Sequence, residues 1–197
     1  MGCAAESAST EEIDQGASSI INGVETTDYP AIVALSGRKP GAESGLLCTA
    51  TLIGPTVLLT AAHCVDPALA GEGVVYKALL APNLTDKANP SASIDVVSVE
   101  WDREFNSKDL QGGHDIAVAI LAAPIPNVKP IRINREALQG LTKARLVGYG
   151  LNNGFQNTGA GVKRTAEVRV AKVDDKFVVS GSWFGTTMCS GDSGGPV

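Results

Sequence analysis

LLCTATLIGPTVLLTAAHC, residues 46–64, contains two runs of apolar and β-branched residues, 46–53 and 57–60, separated by Gly54-Pro55, and it ends on a histidine beside a cysteine. Such runs read as consecutive strands, because β-branched side chains suit a pleated surface while glycine and proline suit the turn between them. The same texture continues outward, at 32–35 before the segment and at 74–80, 94–100 and 116–121 after it. No long window carries a helical face; the best short candidate, 134–141, is interrupted by Gly140. The predicted class is all-β.

Pro124, Pro126 and Pro130 fall in the nine residues AAPIPNVKP. Three positions there lack a ladder donor, so the stretch reads as a connector. A second series of β runs follows at 144–149, 165–174 and 176–183. The expected organisation is one β unit over 20–123, a linker over 124–134 and a second β unit over 135–197.

The first 19 residues, MGCAAESASTEEIDQGASS, hold Glu6, Glu11, Glu12 and Asp14 and no Lys or Arg, leaving 17 acids against 16 bases in the remainder. This small, polar, acidic segment reads as a disordered leader. It lacks the apolar core of a signal peptide, and Glu6 stands where N-myristoylation wants Ser or Thr. Gly2-Cys3 before a polar tether resembles the start of a mature bacterial lipoprotein, with Cys3 as the lipid anchor; the other reading is an ordinary leader cysteine. The whole chain is 44% hydrophobic and the body after residue 19 is nearly balanced in charge, which fits a globular protein and gives a phosphate backbone little to hold. Nucleic acid is not an expected partner. No stretch approaches the roughly 18 apolar residues of a membrane-spanning helix.

Three groups carry chemistry. In MCSGDSGGPV, residues 188–197, glycines flank the Asp192-Ser193 pair, allowing a tight turn whose N–H groups converge on an anionic oxygen. Alone, this is equally a Gly-rich surface turn. His63 follows an apolar strand, and only His114 offers a second imidazole; alone, His63 is as well read as a structural histidine. Asp115 opens the apolar run HDIAVAIL, where a buried carboxylate needs a partner such as a histidine N–H, or where it caps a turn.

The order His63, Asp115, Ser193, together with SIING (19–23), CTATLIGPTVLLTAAHC (48–64), HDIAV, VGYG (147–150) and CSGDSGGPV, resembles the chymotrypsin/trypsin-like serine proteases. The resemblance implies two antiparallel Greek-key β-barrels with His63 and Asp115 on the first and Ser193 on the second. Ser193 is then the nucleophile, His63 the general base and acid, and Asp115 the group that orients the imidazole. The N–H groups of Gly191 and Ser193 form the oxyanion hole. Protein or peptide substrates are implied, and no metal or organic cofactor; two histidines without a CxxC also argue against zinc. A monomer of bacterial origin is expected.

The resemblance further implies a zymogen in which cleavage before Ile20 frees an α-amine that pairs with Asp192. Ser19 replaces the basic residue usual at that point, so a separate activating protease is expected. Cys48 and Cys64 match the family's disulfide, worth roughly 3 kcal/mol for a loop of this length and implying an extracytoplasmic, secreted, periplasmic or surface-tethered protein. Thr187, at the base of the family's specificity pocket, and Met188 beside it imply small or medium uncharged side chains. By resemblance, the closing strands, the C-terminal helix and the partner of Cys189 are expected beyond Val197, leaving the second barrel incomplete. Cys3 is otherwise expected to be lipidated, free or bonded to Cys189.

Overall fold

The structure, a computed structural model, describes residues 20, 23–42, 45–109, 112–136, 138, 140, 142–153, 156–181 and 188–197. Its strands are β1 (Val24–Glu25), β2 (Ile32–Arg38), β3 (Leu46–Gly54), β4 (Val57–Thr60), β5 (Val75–Leu79), β6 (Ser93–Trp101), β7 (Ala117–Leu121), β8 (Lys143–Gly148), β9 (Arg164–Val173) and β10 (Val178–Gly181). The all-β reading holds, and the runs read from sequence coincide with β2 to β10 apart from their ends.

Strands β2 to β7 close into a barrel in the order β2-β3-β4-β7-β6-β5. The chain meanders through β2, β3 and β4, and β5 then returns to pair with β2, Leu35 opposite Ala78. Closure leaves no strand edge open to solvent pairing. The core is filled by Val33, Leu35, Ala50, Leu52, Leu58, Tyr76 and Ala119 among others. Residues 32–35 are all buried, although neighbours on a strand face opposite ways. Val33 and Leu35 enter the barrel core; Ile32 and Ala34, outside that cluster, lie on the other face of the strand. Burying each leucine is worth about 1.5–3 kcal/mol.

The second unit is a four-stranded sheet in which β9 pairs with β8, β10 and β1. β1 thus leaves the polypeptide that builds the barrel and joins the other sheet, Val24 opposite Thr165. Ile20, Leu146 and Val168 form its small buried cluster.

The register of the barrel sets up the site. Thr60, the last residue of β4, pairs with Ala117, the first of β7. The segments that leave β4 and enter β7 therefore emerge side by side at one end. Beyond β4, Ala62–Cys64 forms a 3-10 turn, and Pro67–Ala70 forms a single-turn helix, α1, capped by Asp66, whose Oδ1 accepts from Ala68 N at 3.0 Å. A four-residue helix has no periodicity to betray it in sequence. The candidate helix at 134–141 does not form among its described residues; Asn134 instead folds its side chain onto the Glu136 amide at 2.9 Å, the local competition that makes asparagine a turn former.

Candidate active site

The 3-10 turn after β4 carries His63, and a disulfide between Cys48 on β3 and Cys64 fixes that turn to the barrel wall. Asp115 sits two residues ahead of β7. Its two oxygens are used by one partner: Oδ1 accepts from the His63 backbone N at 2.9 Å, and Oδ2 is 2.7 Å from His63 Nδ1. Both side chains are 35% exposed. Burial pushes the Asp115 carboxyl up, but the hydrogen bonds from the His63 ring and amide outweigh it and hold the group below the usual carboxylate range.

Residues 188–197 form the opposite wall. Asp192 N donates to Cys189 O at 3.0 Å and Gly195 N to Asp192 O at 2.9 Å, coiling the chain tightly around Ser193. Gly191 and Gly194 adopt φ of 99° and 79°, left-handed conformations that favour glycine. At Gly194 a Cβ would also lie 2.6 Å from Thr49 O. Leu151 N donates to Ser190 O at 2.8 Å. A trans peptide points its N–H opposite its carbonyl, so this bond turns the Gly191 N–H away from Leu151. Neither Gly191 N nor Ser193 N has an acceptor among the described residues.

His63, Asp115, Ser193, Asp192 and Met188 line one cleft of about 620 Å³. The Ser193 hydroxyl and the His63 ring share it without a hydrogen bond between them among the described residues. Asp192 is 3% exposed, with Oδ1 accepting from Gly150 N at 2.8 Å and Oδ2 from Cys189 N at 3.0 Å. Burial raises its carboxyl above the usual range, and the two amides offset only part of that.

The remaining expected residues separate clearly. Ile20 is buried, but it packs with Leu146 and Val168, and no ion pair joins it to Asp192 among the described residues. Thr187, Ser19 and Cys3 lie outside the described residues. Cys189 is engaged in a disulfide. His114 turns to Asp102, with Nδ1 2.8 Å from Oδ2, and to Glu104. Cys48, His63 and Cys64 cluster closely enough to suggest a metal, but both sulfurs are consumed by the disulfide and offer no thiolate. Thr49 and Tyr149, absent from the residues chosen by sequence, contact the turn that carries Ser193 directly or through each other.

Residues 20–197 match the Trypsin family. The chain belongs to that family. Among curated trypsin-family relatives, kallikrein-8 of Homo sapiens is 30% identical over 168 residues, covering 77% of this chain and 62% of that protein. Chymotrypsin-like elastase family member 1 of Canis lupus familiaris is 25% identical, with 96% and 79% covered. Glucanase inhibitor protein 4 of Phytophthora infestans is 26% identical, with 82% and 66% covered. The chain therefore spans less than two thirds of kallikrein-8. The trypsin-like fold is matched by the structure of neuropsin, a serine protease expressed in the limbic system of mouse brain, at a TM-score of 0.69 and 24% identity, covering 89% of this chain and 80% of that one.

Proposed function

We propose that this chain is a serine endopeptidase of the trypsin family that hydrolyses peptide bonds through an acyl-enzyme. The observation that carries the reading is the single cleft lined by His63, Asp115 and Ser193, with Asp115 already bound to the Nδ1 side of the imidazole. That bond leaves Nε2 as the proton acceptor. Ser193 Oγ attacks the scissile carbonyl while its proton passes to His63 Nε2; the same proton then goes to the departing amine. Water, deprotonated by His63 in turn, releases the acid. The N–H groups of Gly191 and Ser193, unengaged among the described residues, are the donors proposed for the oxyanion.

Activation follows cleavage between Ser19 and Ile20. In the intact chain the buried Asp192 is hydrogen-bonded to two neutral amides and feels the Arg164 charge without an ion pair among the described residues, an arrangement that a new α-amine at Ile20 would improve by supplying a paired charge. Thr187 and Met188 carry no charge for a basic substrate residue, so small or medium uncharged side chains are preferred. The Cys48–Cys64 bond supports an oxidising, extracytoplasmic location, and among the described residues no helix is long and apolar enough to cross a membrane.

A second reading, a protease-fold binding protein without catalysis, draws on the relative named as a glucanase inhibitor. The presence of all three triad residues favours the enzyme. A fluorophosphonate probe separates the two: labelling of the wild type and none of Ser193→Ala is the expected result, and labelling that survives in Ser193→Ala, or is absent from wild type cleaved before Ile20, overturns the enzyme reading.

A further inference from the structure

Thr49 is wholly buried on β3 of the barrel, yet its hydrogen bonds run to the opposite wall of the cleft. Its Oγ1 donates to Gly191 O at 2.8 Å and accepts from Tyr149 N at 3.1 Å. Its backbone N donates to Ser193 O at 2.8 Å, and its own carbonyl accepts from Thr60 Oγ1 at 2.9 Å. One residue thus holds the carbonyls on both sides of Asp192, and it anchors them to β4, the strand that leads into the His63 turn.

We propose that Thr49 is a positioning residue for the oxyanion hole: its hydroxyl holds the Gly191–Asp192 peptide, which lies between the Ser190–Gly191 and Asp192–Ser193 peptides that carry the two donor N–H groups, and its amide holds the Ser193–Gly194 peptide that follows them. The inference rests on the proteolytic reading for its catalytic consequence and on the hydrogen bonds alone for its structural one. A carbonyl held in place fixes the plane of its peptide. Gly191, at φ 99°, has no side chain to resist rotation, so without the Thr49 hydroxyl the Gly191–Asp192 peptide keeps only the bond from Asp192 N to Cys189 O among the described residues, and the donor peptides on either side of it loosen. A hole whose donors wander loses stabilisation in the transition state rather than in the ground state, so the penalty falls on kcat and spares KM. No sequence motif announces this role, because the bond spans 142 residues.

The test uses the full chain cleaved before Ile20. Thr49→Val keeps the shape and the backbone donor to Ser193 O but removes the hydroxyl. Its kcat is expected to fall by about tenfold to a hundredfold, below the cost of deleting a donor outright. KM should stay within about threefold, and a peptidyl boronic acid should weaken by the same factor as kcat/KM. Thr49→Ser, which restores the hydroxyl, should recover the rate. Unchanged kcat in Thr49→Val, or equal slowing in Thr49→Ser, overturns the proposal. Hydrogen–deuterium exchange over 188–197 provides a readout independent of turnover: faster exchange in Thr49→Val supports the clamp and unchanged exchange overturns it. Should Thr49→Val not fold, Thr49→Ala is read the same way. If wild type cleaves no peptide while Thr49→Val still loosens the turn, the proteolytic reading fails and the clamp stands.

Discussion

Asp115 accepts two hydrogen bonds from His63, one from the backbone N at 2.9 Å and one from ring Nδ1 at 2.7 Å, so the same carboxylate fixes both the position of the residue and the tautomer of its ring. Asp115→Asn separates these tasks. The amide oxygen can still accept from the backbone, but its NH₂ cannot accept from Nδ1–H, and the ring is driven to the tautomer with its proton on the wrong nitrogen. The expected outcome is a fall in kcat on the order of 10⁴ on an uncharged peptide substrate with little change in fold. A variant within tenfold of wild type would remove Asp115 from its role. Because the carboxyl is held below its ordinary range, its contribution to stability is present above an unfolded-state pKa of about 3.9 and is lost as pH falls through the lower folded value. Asp115→Asn should accordingly flatten part of the acid limb of the stability curve.

Gly150 packs against the Asp192 carboxyl so closely that a Cβ there would lie 2.5 Å from Cγ, while Gly150 N holds Oδ1 at 2.8 Å. The constraint is proximity, since Gly150 is not among the positive-φ glycines. Gly150→Ala must push Asp192 away from its amides and distort the turn that carries Ser193. A loss of about 1–3 kcal/mol in guanidinium unfolding is expected, together with a larger proportional loss of fluorophosphonate labelling. Unfolding and labelling that both match wild type would mean that the contact has room to relax.

The disulfide prediction is simpler in kind. Cys48 and Cys64 close a loop with a separation of 16 residues around β4 and the His63 turn. In the chain-entropy description the cross-link is worth roughly 3 kcal/mol. The double variant Cys48→Ala/Cys64→Ala should lower the unfolding midpoint accordingly. A midpoint unchanged from wild type would show that the barrel alone fixes the turn.

What could be read from the sequence follows from where each signal is stored. Strands such as β3 and β7 carry their evidence locally, in apolar and β-branched runs bounded by turn residues, and they fall where expected. His63, Asp115 and Ser193 were singled out because each sits in a motif and the three motifs stand in a recognisable order, and the fold brings them to one cleft. β1 was not, since two residues hold no period and its partner Thr165 lies on the far sheet. Thr49 and Tyr149 were missed for the same reason: an interior threonine of a strand looks like any other β-former until Gly191 O is found beside its hydroxyl. Lys163 is the sharpest case, because a lysine in sequence signals surface and this one is buried.

Lys163 is 2% exposed, with Nζ donating to Asp28 O at 3.2 Å and Tyr29 O at 3.1 Å and lying 5.7 Å from the Tyr149 ring. Burial pushes the amine down to about 8, and the Asp28 charge opposes that only in part. The folded chain therefore gives up this proton before the unfolded chain does, whose lysine titrates near 10.4. Between those values the unfolded state binds more protons, so stability should rise with pH, by about 2 kcal/mol from pH 8 to pH 10. Above roughly pH 10 the trend reverses as tyrosines ionise in the unfolded chain, because burial holds Tyr149 high and, with the Asp66 charge, pushes Tyr76 up to about 12. Chemical denaturation of wild type and Lys163→Met at intervals across pH 8–10 isolates the contribution. Wild type should gain on the variant over that window. Parallel curves would mean that the ammonium is solvated in solution and that the 28–29 turn is not held by a buried charge.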